Sequence, residues 1–239
     1  MPRGPGPGAG EVPGGGRGRG AAAVTGAPYT ARVRGRLITF EGGEGCGKST
    51  QLELTAARLE AMGRQVVRTR EPGGTPLAEA ARRIILDPAL DPDPLAELFL
   101  LEAARRDHVR RVIGPALERG AVVLSDRFTD SSTVYQGLVG GLPAATVEGL
   151  NRLATGGLVP HLTVVLDLAP EEALPRVRRR NGAADSRQDA RPMEFHRRVA
   201  ESFRRLARRH PERIRVVDGS GPVEAVFERV WAVVEEVLA

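Results

Sequence analysis

Five short apolar runs recur along this chain. They are Leu37-Ile38-Thr39-Phe40, Gln65-Val66-Val67-Arg68-Thr69, Ala121 to Ser125, Leu162 to Asp167, and Ile214-Arg215-Val216-Val217. Their length and β-branched content predict strands. Between them, apolar residues return every three or four positions, as at Leu52, Ala56, Leu59 and Met62. That period predicts helices near 49–62, 76–86, 95–118, 144–155, 170–180, 193–208 and 222–238. A Pro-Asp-rich stretch at 87–94 and a polar loop at 181–192 interrupt the pattern. No internal repeat is present. Short apolar strands alternating with helices predict an α/β fold with five parallel strands covered on both faces, a three-layer architecture. Ligands of such sheets gather at the carboxyl ends of the strands.

The polar residues between the first strand and first helix change the picture most. Gly42-Gly43-Glu44-Gly45-Cys46-Gly47-Lys48-Ser49 fits G-x-x-x-x-G-K-[ST], and Thr50 continues it into the helix. Lys48 is the only lysine; the other 34 basic side chains are arginines. A compact ammonium folds back into a phosphate cradle in a way that a planar guanidinium does not. In a strand–glycine loop–helix context, backbone N–H groups surround phosphates at a helix N-terminus, where the dipole favours anions. The pattern therefore implies a P-loop nucleoside triphosphate site. Lys48 is assigned to the β- and γ-phosphates and Ser49 to Mg²⁺. Cys46 is read as a small residue at a variable loop position.

The first 35 residues differ in kind. They hold eleven glycines, five prolines and a net charge of +4 out of the chain's +5. This predicts a disordered Gly/Pro/Arg-rich tail over 1–35 and a folded domain over 36–239. The balanced charge of the domain gives no reason to expect nucleic-acid binding by it. No apolar run approaches the roughly 18 residues of a membrane span. One cysteine in 239 residues forms no intrachain disulfide, which suits a cytoplasmic protein.

Further candidates follow the predicted strands. Arg70-Glu71-Pro72-Gly73-Gly74-Thr75 succeeds the second, placing Arg70 in the cleft beside a turn that lets backbone approach a ligand. Arg82, on the next helix, is expected to face the same cleft and Arg83 to face solvent. The third strand runs into Asp126-Arg127-Phe128-Thr129-Asp130-Ser131-Ser132-Thr133-Val134-Tyr135-Gln136-Gly137. An aspartate there holds Mg²⁺ or orients an attacking oxygen. Arg127 clamps a phosphate, and Ser132, Tyr135 and Gln136 offer hydrogen bonds to a base or sugar. Arginines 176, 178, 179, 180, 187 and 191 flank the 181–192 loop, a candidate mobile flap over a nucleotide. Arg178 and Arg179 are read as solvated. Four scattered histidines show no metal-ligand spacing and are assigned no catalysis.

Together these segments resemble the thymidylate kinase family over about 36–238, nearly all of the chain beyond the tail. Three segments carry the resemblance: Phe40 to Thr50, Thr69 to Thr75, and Asp126 to Gly137. The 181–192 loop resembles the family's lid, with Arg187-Gln188-Asp189 as its arginine-x-acidic element. The resemblance implies ATP-dependent phosphorylation of dTMP to dTDP, with Mg²⁺ accompanying ATP. It places Glu44 near the sugar and 5′-phosphate, and Arg70, Arg82 and Arg127 around the acceptor phosphate. Arg105 would read the thymine edge, Ser132 and Gln136 lie near the base, and Tyr135 packs on the deoxyribose. Lys48, Arg187 and Asp126 would form the catalytic set, with Ser49 and Asp126 toward the metal. No basic residue occupies the variable P-loop positions, so the lid arginine supplies that charge, as in bacterial members. A homodimer is implied as well. Leu101 departs from the aromatic residue usual at its position, a loss of about 0.5–1.5 kcal/mol of ring-stacking preference. A P-loop kinase for another nucleotide or nucleoside is the alternative. A GTPase switch would need an Asn-Lys-x-Asp guanine reader, for which the chain has no second lysine.

Overall fold

A computed structural model describes residues 33–181, 187, 188 and 190–238. Most of the predicted tail (1–32) and loop positions 182–186 and 189 lie outside the described residues. The elements run β1 (Arg36–Glu41), α1 (Lys48–Ala61), β2 (Val66–Arg70), α2 (Pro76–Leu86), α3 (Pro94–His108), α4 (Gly114–Glu118), β3 (Val122–Asp126), α5 (Thr129–Ser132), α6 (Ala144–Thr155), β4 (Leu162–Asp167), α7 (Pro170–Asn181), α8 (Met193–Arg209), β5 (Ile214–Asp218) and α9 (Val223–Leu238). The five strands form one parallel sheet in the order β2-β3-β1-β4-β5.

Alternation along the strands builds two cores. Ile38 and Phe40 of β1, Val122 and Leu124 of β3, and Leu162, Val164 and Leu166 of β4 face α1 and α9. Leu37 and Val123 point to the other face and pack on α4 and the turn before it. Val165 joins Phe203 and Leu206 of α8 there. Thr39 and Glu41 share this second face, and both are fully buried. Their burial is polar: Thr39 and Thr163 hydroxyls bond at 2.9 Å.

Two departures from the periodicity matter. The helix expected over 95–118 is interrupted by a π-helical turn at Val109–Ile113. The polar stretch after β3 is helical, as α5 followed by a π-helical turn at Thr133–Val139. Its side chains serve a site rather than a core, so they lack the apolar period that marks a helix. π-turns of this kind are frequent at functional sites.

Candidate active site

The phosphate loop joins β1 to α1 at the carboxyl edge of the sheet. Gly45 takes φ +75°, and a Cβ built there would lie 2.2 Å from the Ala173 carbonyl of α7. Both conditions restrict this position to glycine. Lys48 Nζ donates to the Gly43 carbonyl at 2.7 Å and the Gly42 carbonyl at 3.4 Å. The Ser49 hydroxyl donates to Asp126 Oδ2 at 2.6 Å. This pairing brings together the two residues assigned to the metal. Cys46 is 3% exposed, and burial pushes its thiol pKa up despite Lys48 nearby. A cleft of about 580 Å³ opens here, lined by Glu44 through Gln51, Arg70, Arg82, Asp126 and Arg127.

Behind β3 the chain turns sharply. Arg127 has φ +71°, a left-handed conformation that costs a non-glycine residue about 1–2 kcal/mol. Glu41 holds the turn: its carboxylate accepts from the N–H groups of Phe128 (2.8 Å) and Ser131 (3.2 Å) and from the Ser131 hydroxyl (2.6 Å). The turn aims Arg127 at Glu44, 2.5 Å away, and over the Tyr135 ring. Burial is the main reason that the Glu41 pKa rises to about 7; Asp130 adds to the rise, while Arg127 and the hydrogen bonds oppose it. A carboxyl raised in the fold stabilises most below its unfolded value, and that contribution fades as pH climbs through the folded value. The stability advantage of wild type over Glu41→Gln should therefore narrow between pH 4.5 and 7, read from urea midpoints across that range.

A second cavity, of about 350 Å³, adjoins the first. Leu101, Arg105, Ser132, Tyr135 and Gln136 line it, together with Pro72, Ile85, Leu86, Phe128 and Gln188. Gln136 Oε1 is buried there with no hydrogen-bond partner among the described residues. Tyr135 packs on Phe195 and Phe203.

Arg105 forms the floor and is 2% exposed. Its Nε donates to Glu71 at 2.7 Å, Nη1 to Asn151 at 2.8 Å and to Glu102, and Nη2 to Ser132 (3.0 Å) and the Phe128 carbonyl (3.3 Å). These five bonds engage each of its N–H donors. Reading a base edge therefore requires one of those donors to be shared or traded. Apart from Ser132, the side chains that saturate it were missed in the sequence. Glu71 was seen only as part of a turn, and Glu102 and Asn151 lie on helices without a motif.

The arginines divide unevenly. Arg82 is half-buried, donates to the Pro72 carbonyl at 3.0 Å and lines both cavities. Arg83 is exposed, as expected. Arg70 lines the first cleft only, paired with Glu79 at 2.9 Å. Arg176 and Arg179 of α7 also line the first cleft, so Arg179, read as solvated, stands at its rim. The side chain of Arg178 lies outside the described residues. Arg187, assigned to ATP, instead reaches Glu97 at 2.8 Å, at the mouth of the second cavity. Arg191 stacks over Phe195.

The thymidylate kinase family model matches residues 40–230. A thymidylate kinase of Symbiobacterium thermophilum is 50% identical over 202 residues, covering 84% of this chain and 93% of that protein. Another, of Rhodopseudomonas palustris, is 46% identical over 212 residues, or 87% and 92% of the two chains. The crystal structure of thymidylate kinase from Ehrlichia chaffeensis shares 33% identity and a TM-score of 0.68, over 84% of this chain and 98% of that one. Motif, five-stranded topology, paired cavities and these likenesses agree: the chain belongs to the thymidylate kinase family.

Proposed function

We propose that this protein transfers the γ-phosphoryl group of ATP to dTMP, giving dTDP. The observation that carries the reading is the shared wall between the two cavities. Glu44, Glu71, Arg82 and Arg127 line both. A triphosphate seated on the loop and a monophosphate seated on the Arg105 side would bring their phosphates together between Arg82 and Arg127. Two fixed guanidinium groups there offset the repulsion between the anions and hold the acceptor oxygen in line. No covalent intermediate on the protein is required, since catalysis is positioning plus charge neutralisation. Lys48 neutralises the donor phosphates, and Arg187 adds charge once it leaves Glu97.

Mg²⁺ fits this site. Ser49 Oγ and Asp126 Oδ2, 2.6 Å apart, are hard oxygen donors beside the phosphate loop. Mg²⁺ takes few protein oxygens and completes its shell with water and substrate phosphates. Bound there, it would neutralise charge on the phosphate oxygens. A homodimer across α3 and α6 fits the exposed Phe99 (54%) and Leu153 (62%) on those helices. No helix among the described residues is long and apolar enough to cross a membrane, and cytoplasmic placement fits the single thiol.

The test is ADP release from MgATP with a panel of nucleoside monophosphates. Turnover should be fastest with dTMP and poor with dUMP. Turnover with a different monophosphate and none with dTMP would overturn the acceptor assignment while leaving the phosphoryl chemistry in place. The Leu101 wall of the second cavity would then be where the assignment failed.

A further inference from the structure

His108, set aside in the sequence, occupies a position that no substrate can reach. It ends α3, is fully buried and lines neither cavity. Its ring nevertheless touches both ends of the acceptor site through intermediates. Nδ1 lies 3.0 Å from Glu71 Oε1, and the other oxygen of that carboxylate accepts from Arg105 Nε at 2.7 Å. Nε2 lies 2.6 Å from Thr69 Oγ1. The contacts fix the chemistry. A carboxylate can only accept, so Nδ1 carries a proton. Thr69 supplies a hydroxyl that serves the other nitrogen in either of its protonation states.

The second connection is steric. Gly74 has φ +81°, and a Cβ built on it would stand 2.7 Å from His108 Nε2. The Pro72–Gly74 turn therefore lies directly against the imidazole ring. The Pro72 carbonyl in that turn accepts from Arg82. One ring thus backs the carboxylate that orients Arg105 on the base side and the turn that seats Arg82 on the phosphate side.

We infer that His108 is a positioning residue for the acceptor nucleotide, fixing Arg105 through Glu71 and Arg82 through the Pro72–Gly74 turn. The inference rests on the acceptor assignment proposed above. Glu102, Asn151, Ser132 and the Phe128 carbonyl hold the two terminal nitrogens of Arg105, so Glu71 is the partner that sets its Nε edge. Nε of Arg105 bonds only Glu71, and Arg82 donates to the protein only at Pro72 among the bonds described. A side chain that holds such groups from behind tunes the site without touching substrate. Its loss should raise KM for the acceptor, leave KM for ATP in place and reduce kcat little.

Two near-isosteric variants separate the ring's contacts. In His108→Asn the amide nitrogen can stand where Nδ1 stood and keep the bond to Glu71. In His108→Gln the amide can reach Thr69 but not Glu71. Thr69→Val removes the hydroxyl and leaves the ring packed. The variants are compared with wild type on whichever monophosphate wild type turns over fastest, so the acceptor assignment and the role of His108 are judged separately. The result expected is about a 10-fold rise in acceptor KM for His108→Gln, the usual scale for losing an outer partner of a functional side chain. Smaller rises should follow for His108→Asn and Thr69→Val, with KM for ATP within about two-fold throughout. Thermal melting of each variant runs alongside. Equal losses in the acceptor and ATP constants, or losses that track melting temperature rather than the bond to Glu71, would overturn the inference. So would an unchanged acceptor KM in His108→Gln. Should His108→Gln fail to fold, Thr69→Val with an unchanged acceptor KM would overturn it as well.

Discussion

Lys48→Ala is expected to lower kcat by about 10³-fold, the upper range for deleting one donor aimed at developing charge. The phosphate loop has no second cation at its variable positions, so nothing within the loop compensates. Nζ is held by the carbonyls of Gly42 and Gly43, inside the curve of the loop. Alanine leaves that curve lined by N–H dipoles alone. Lys48→Arg should rescue poorly, since the planar guanidinium is bulkier than the ammonium and meets the loop walls. Steady-state kinetics with saturating dTMP decides the matter. A variant retaining more than about a tenth of wild-type kcat would remove Lys48 from the catalytic set.

The second large effect concerns the fold and the acceptor pocket together. Arg105→Met should destabilise the protein by about 3–5 kcal/mol, the usual cost of breaking a buried ion network by removing one partner. Two carboxylates would be left facing the vacated space, those of Glu71 (5% exposed) and Glu102 (7% exposed). They start from different states. Burial pushes both upward, but Arg105 and His108 bring Glu71 below the usual carboxylate range, whereas Glu102 stays above it. Without the guanidinium, Glu71 should take up a proton more readily, so the variant should lose less stability in acid than near neutrality. Urea denaturation at pH 5 and pH 8 would show this. A pH-independent loss below about 1 kcal/mol would mean that the network is not a stability element. Adding Glu102→Gln should recover part of the loss by removing one of the two stranded charges.

Much of this molecule was legible in its sequence, for identifiable reasons. The central strands β3 and β4 are buried along nearly their whole length because helices cover both faces of the sheet, and such runs stand out from their flanks. α2 and α6 fall at the limits their periodicity predicts, 76–86 and 144–155. The phosphate loop is legible because its backbone needs glycine at set positions and its chemistry needs one lysine and one hydroxyl. The helical state of 129–139 was not, because its side chains answer to Glu41, Arg105 and the cavity rather than to a helix stripe. The saturation of Arg105 was hidden for a different reason. Glu102 meets Arg105 by helical spacing on α3, but Glu71, Asn151 and Ser132 come from the turn after β2, from α6 and from α5, and only the fold brings them to one guanidinium. The position of Arg187 beside Glu97 reflects the same limit, since a motif names a residue but not the carboxylate its side chain meets.

The burial of Cys46 has a practical consequence. It is the chain's only thiol, and it is 3% exposed, packed with Ala173 of α7. Reagents that attack exposed thiolates therefore meet an inert protein. A cysteine introduced anywhere on the surface becomes the one accessible attachment point, with no native residue to remove first. Trp231 of α9, likewise the only tryptophan, packs against Arg58 of α1 and lines neither cavity. A fluorophore on such a cysteine near Gln188, excited through Trp231, would report distance changes across the cleft from a single, unambiguous pair.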